Sequence, residues 1–114
     1  MKEDCLFCKI INGDIPSDKV YEDEYVYAFK DINPVAPFHV LVVPKTHMDN
    51  VNDVDENNVE YISKIFLAIK KIARENNIEE KGYKVISNCG EKAGQTVMHL
   101  HFHIISGDCF GKNV

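Results

Sequence analysis

No stretch of the 114-residue sequence approaches the roughly 18–20 continuous apolar residues that a membrane-spanning helix needs. The longest apolar clusters are Val40-Leu41-Val42-Val43 and an interrupted run from Ile62 to Ile72, which is too polar to span. Positive charge is also short. Thirteen Lys and Arg against 18 Asp and Glu leave a net charge of −5, which argues against a broad footprint on DNA or RNA. Neither a nucleic acid nor a membrane is expected as a partner. Met1-Lys2-Glu3-Asp4-Cys5 is acidic and lacks the apolar segment of a secretory signal, so the expected location is the cytoplasm, where thiols stay reduced. The four cysteines are therefore not read as a disulfide framework. Cys5 and Cys8 read as metal ligands or core residues, and Cys89 and Cys109 as ordinary buried or half-buried thiols. No repeat, low-complexity tract or linker interrupts the chain, and one domain over residues 1–114 is the simplest organisation. With 45% hydrophobic residues that domain can build a core.

The patterning predicts a short helix over residues 5–11, where Leu6, Phe7, Ile10 and Ile11 recur at helical spacing before Asn12-Gly13 stops it. Strands are predicted over 19–22 and 25–31, joined at the acidic turn Asp23-Glu24, and over 38–43, ended by Pro44. Asn33-Pro34 and Ala36-Pro37 mark the turn before that third strand. The clearest helix covers 55–76, with Asp55 as N-cap and an apolar stripe of Val59, Ile62, Phe66, Ile69 and Ala73, widened by Ile65 and Ile72. Strands over 83–88 and 97–106 follow, separated by a glycine-bearing loop from Cys89 to Gln95. Short turns between consecutive strands favour an antiparallel sheet with the helices packed on one side, an α+β design.

All five histidines stand at 39, 47, 99, 101 and 103. Alternation along a strand puts His99, His101 and His103 on one face, and Met98, Leu100, Phe102 and Ile104 on the other. Three adjacent imidazoles are poor core material, because each needs hydrogen-bond partners once buried. Three readings follow: structural histidines satisfied by backbone groups, a metal site built on H-x-H, or nucleophilic catalysis by a neutral imidazole whose second nitrogen is held by a hydrogen bond. Gly94-Gln95-Thr96 lies directly ahead. Its glycine, amide and hydroxyl can present donors to a phosphate, which favours phosphate chemistry.

The segment Gly94-Gln95-Thr96-Val97-Met98-His99-Leu100-His101-Phe102-His103-Ile104-Ile105 closely resembles the signature of the histidine triad (HIT) family, His-φ-His-φ-His-φ-φ with φ apolar. Leu6 to Ile11 with Asp14-Ile15-Pro16, Tyr27 to Ile32, and Ala36 to His47 are similar to other parts of the same family. The likeness is strongest to its nucleotide-binding, purine nucleoside phosphoramidase branch.

That resemblance implies a HIT-like fold, an antiparallel five-stranded sheet with one long and one short helix, continuous across a homodimer. It also implies cleavage of a purine nucleoside 5'-monophosphate from a phosphoramidate, acyl-adenylate or related leaving group. By analogy His101 attacks phosphorus and becomes nucleotidylated, His103 contacts the phosphate, and His39 orients the nucleophile or its phosphate. Thr96 stands where the branch usually has Ser and keeps the hydroxyl. Gly94 belongs to the phosphate loop, Gln95 and Asn88 would bind phosphate or leaving-group oxygens, and Asp31 the ribose hydroxyls. Leu6, Phe7, Ile10, Phe29 and Ile32 would wall the base pocket.

Cys5-x-x-Cys8 has the spacing of half a zinc site. Some bacterial members of the family complete it from the positions of His47 and His99, which implies a structural zinc and leaves His99 outside catalysis. No organic cofactor is expected. After Ser106 the branch often has a Trp-containing tail that contributes to leaving-group specificity, whereas this chain has no Trp at all. Two other functions stay open: dinucleoside polyphosphate hydrolysis, and nucleotide binding as an adaptor with vestigial activity.

Overall fold

A computed structural model describes residues 4–107, and the tail from Asp108, with Cys109, lies outside the described residues. The elements run α1 (Leu6–Ile11), β1 (Lys19–Glu22), β2 (Val26–Lys30), β3 (Phe38–Pro44), α2 (Val59–Glu75), β4 (Lys84–Ile86) and β5 (Phe102–Ser106). The five strands form one antiparallel sheet in the order β1-β2-β3-β5-β4. This is the α+β architecture expected from the sequence. No helix among the described residues is long and apolar enough to cross a membrane.

Alternation along the central strands divides the core in two. Val26, Ala28, Val40, Val42, Phe102 and Ile104 face α2, where Ile65, Ala68, Ile69, Ile72 and Ala73 are buried against them. Tyr27, Phe29, Leu41 and Val43 face the other way and pack with Phe7, Cys8 and Ile10 of α1. The helices therefore lie on opposite faces, not on one side as expected. Strands β2 and β3 need apolar residues at consecutive positions because both of their faces are covered.

Several boundaries also differ from expectation. Helix α2 begins at Val59 with Asn58 as its cap residue. Asp55 instead closes the preceding turn, its Oδ1 accepting from the N–H groups of Asn57 and Asn58 at 2.8 and 3.1 Å. At the other end Ile78 N donates to Ala73 O and Asn77 N to Arg74 O, with Asn77 left-handed at φ 58°. That is a Schellman stop, and buried Ile78 makes its apolar contact. Val59 and Phe66 are about half exposed, so the outer edge of the predicted stripe is not core, although Phe66 meets Phe102 edge-on. Strand β5 starts only at Phe102: residues 97–99 bend, and Leu100 and His101 belong to no strand.

Ile72 is wholly buried at the centre of the α2 layer. Ile72→Ala is expected to lower the unfolding free energy by about 2–5 kcal/mol in urea titration, with little change in m.

Candidate functional site

The α1 side of the sheet carries two groups of histidines. In the first, His99 and His47 approach the cysteines of α1. Cys5 is the N-cap of the helix and its Sγ accepts from Cys8 N at 3.3 Å, which turns both thiols to the same side. His99 Nδ1 lies 3.3 Å from Cys5 Sγ and 3.5 Å from Cys8 Sγ, and His47 Nδ1 lies 3.4 Å from Cys8 Sγ. Metal–sulfur bonds of about 2.3 Å and metal–nitrogen bonds of about 2.05 Å, at a tetrahedral angle, put S and N about 3.6 Å apart.

The outer nitrogens complete the fit. His99 Nε2 donates to Pro44 O at 3.0 Å and His47 Nε2 to Asp49 Oδ1 at 2.7 Å, so both rings present an unprotonated Nδ1 to the thiols. Cys5, Cys8, His47 and His99 are thus positioned to hold a metal ion. Such an ion would tie α1 to the sheet and fix His99, which is fully buried.

The second group is His39, His101 and His103. His39 on β3 lies opposite Ile105 and His103 opposite Leu41, so the two histidines are diagonal neighbours on one face. His39 Nε2 and His103 Nδ1 are 2.9 Å apart, with Asp31 Oδ2 at 3.4 Å from the same Nε2. The His101 ring sits 5.1 Å from that of His103, and Phe7 meets it edge-on at 5.1 Å. His101 Nδ1 donates to the main-chain oxygen of His99 at 2.7 Å, which leaves its Nε2 with the lone pair. Because β5 begins beyond it, that carbonyl is free of the ladder.

Asp31, His39 and His103 bring their donor atoms as close together as the cysteine set does. Hydrogen bonding separates the two. A ligating histidine donates through its other nitrogen. The outer nitrogen of His39 instead accepts a hydrogen bond, from Val35 N–H at 3.2 Å, so in the neutral ring it is Nε2 that carries hydrogen and offers no lone pair to a metal.

Burial sets the electrostatics. It pushes His101 and His39 below the usual imidazole range, against the pull of the Asp31 carboxylate. His103 falls to about 4, through burial first and then through its two imidazole neighbours. All three rings are neutral near pH 7, as a nucleophile and its neutral hydrogen-bond partners would need to be.

The other predicted residues are placed unevenly. Phe7, Ile10 and Phe29 are buried together. Leu6 and Thr96 line an open depression of about 360 Å³ with Cys5, His47, Val97 and Met98. Gly94 turns left-handed at φ 98° beside the Asn88 side chain. Ile32 is 88% exposed and packs in no wall. Gln95 is 2% exposed and fully engaged inside its own region: Oε1 accepts from Gly90 N, and Nε2 donates to Asp49 O and Val97 O. It braces the loop and has no group left for a phosphate. Asp31 serves in both ways, with Oδ1 accepting from Asn33 N in a turn and Oδ2 facing His39.

Sequence reasoning missed Asp49, Pro44 O and Val35 N. Only Asp49 left a signal, an acid two residues beyond a candidate histidine ligand.

Residues 12–109 match the HIT domain family. The chain is 40% identical over 111 residues to purine nucleoside phosphoramidase of Escherichia coli (strain K12), covering 97% of this chain and 93% of that protein. It is 51% identical over 115 residues to Protein hit of Bacillus subtilis (strain 168), covering 96% and 77%. A HIT family hydrolase from Clostridium thermocellum superposes with a TM-score of 0.96 at 49% identity, over 100% of this chain and 99% of that one. The chain belongs to the HIT family.

Two outcomes follow. Elemental analysis of protein never exposed to chelator is expected to give one metal per chain, not two; Cys8→Ser removes it and lowers Tm by more than about 5 °C, while His39→Asn retains it. Because the folded pKa of His103 lies below its ordinary 6.5, stability is fully present above pH 6.5 and is lost as pH falls toward about 4. Thermal scans across that window should show a smaller acid loss in His103→Asn than in the parent.

Proposed function

We propose that the protein hydrolyses purine nucleoside phosphoramidates and related nucleotides at the α-phosphate, through a covalent nucleotidyl-His101 intermediate. The observation that carries this reading is the 2.7 Å bond from His101 Nδ1–H to the His99 carbonyl, which commits the lone pair to Nε2 in a buried, uncharged ring.

In the first step Nε2 attacks phosphorus, a P–N bond to His101 forms, and the bond to the leaving amine or oxygen breaks as that group takes a proton from solvent. In the second, a water oxygen attacks phosphorus, the P–N bond breaks with its electron pair returning to Nε2, and the water's proton passes to solvent as the nucleoside monophosphate leaves. His103 donates to a non-bridging oxygen, helped by Asn88 and by the main chain at Gly94. The Thr96 hydroxyl serves the leaving group and Asp31 the ribose. Leu6, Phe7, Ile10 and Phe29 line the base slot.

Zinc is the metal proposed for Cys5, Cys8, His47 and His99, in a purely structural role: it would anchor α1, and with it Phe7, against the histidine face. A homodimer is proposed through the outer edge of β4 and the exposed apolar residues Val59, Phe66, Leu67 and Val85. The proposed setting is the cytoplasm.

The test is direct. Incubation with an adenosine phosphoramidate is expected to release AMP faster than incubation with a diadenosine polyphosphate. Faster cleavage of the polyphosphate would instead make the protein a dinucleoside polyphosphate hydrolase, and tight monophosphate binding without turnover would make it an adaptor. His101→Ala is expected to lower kcat by at least about a thousandfold while AMP still binds.

A further inference from the structure

We infer that the main-chain N–H of Val35 fixes the tautomers of His39 and His103, and so makes His103 an N–H donor to a substrate phosphate oxygen. The phosphate part of this inference rests on the proposed function; the tautomer part does not.

A backbone amide can only donate. At 3.2 Å from His39 Nδ1, Val35 N–H makes that nitrogen the acceptor, so the ring's proton must sit on Nε2. His39 Nε2–H then donates to His103 Nδ1 at 2.9 Å, steadied by the Asp31 carboxylate at 3.4 Å. His103 in turn must carry its proton on Nε2. One donor at the chain's surface therefore sets two rings in series.

His101 is set the opposite way. The carbonyl of His99 can only accept, so His101 is protonated on Nδ1 and bare on Nε2. Two rings 5.1 Å apart thus present complementary groups, a lone pair from His101 and an N–H from His103. Attack at phosphorus needs both, since negative charge grows on the non-bridging oxygens as the new bond forms. With the His103 tautomer reversed, two lone pairs would face an anion.

The loop carrying Val35 is built to hold that amide in place. Asp31 N donates to His39 O at 3.0 Å, and Asp31 Oδ1 accepts from Asn33 N at 2.9 Å. Pro34 and Pro37 restrict the backbone between them. Pro37 is seated on Gly107, where any Cβ would come within 2.6 Å of the proline ring. The Val35 side chain is itself 63% exposed, so its contribution is the main-chain donor.

Long-range ¹H–¹⁵N correlation on histidine-labelled, metal-loaded protein reads the tautomers directly. The expected result is Nε2–H for His39 and His103 and Nδ1–H for His101. Val35→Ala keeps the donor and should keep these tautomers. Val35→Pro deletes it, and should deplete the Nε2–H form of His39 and His103 and lower kcat between about tenfold and a hundredfold at unchanged metal content. Nδ1–H on His103 in the parent protein overturns the inference, and so does an unaltered tautomer pattern in a folded Val35→Pro. If Val35→Pro does not fold, the parent spectrum alone decides. Predicted tautomers without turnover of any nucleotide would sink the proposed function and leave the relay standing; turnover with Nδ1–H on His103 would do the reverse.

Discussion

The organisation of the site depends on the hydrogen bond between His101 Nδ1–H and the main-chain oxygen of His99. It gives one residue two places in the structure. The side chain of His99 belongs to the cysteine set, with Nδ1 toward Cys5 and Cys8 and Nε2 on Pro44 O, while its carbonyl orients the neighbouring imidazole. A regular strand through residues 97–106 would have committed that carbonyl to a ladder. The bend ahead of Phe102 releases it, so the departure from regularity is what positions His101.

The sheet supplies the rest of the positioning. Antiparallel pairing of β3 with β5 brings His39 and His103 together across the strands, and α1 covers the same face. Phe7 meets both His99 and His101 edge-on, so the helix that carries the cysteines also desolvates the histidines. Desolvation is the leading cause of the depressed pKa values of His39, His101 and His103. Neutral imidazoles near pH 7 are thus a consequence of packing, and a metal at the cysteine set would contribute to them indirectly by holding α1 in place.

Much of this was legible in the sequence because it depends on periodicity and residue type. Alternation marked Met98, Leu100, Phe102 and Ile104 as core, and all but Met98, which is 41% exposed ahead of the strand, are buried there; the Cys5-x-x-Cys8 spacing marked the cysteine set. What could not be read depends on main-chain atoms and on long-range packing. Nothing about Pro44, His99 or Val35 as residue types announces that their backbone groups assign the tautomers of His99, His101 and His39, and through His39 that of His103. Gln95 has the chemistry of a phosphate ligand, and only its burial shows that every one of its polar atoms is already bonded. The opposite placement of α1 and α2 was missed for a related reason. Strands covered on both faces show no contrast between an inner and an outer side.

The nucleophile is defined by which atom receives the nucleotide. Protein mixed with an adenosine phosphoramidate, quenched within one turnover and digested under conditions that preserve P–N bonds, should yield a peptide carrying one adenylyl group. Fragmentation should place that group on His101. An adduct on His39, His99 or His103, or release of AMP with no adduct on any histidine, would contradict it.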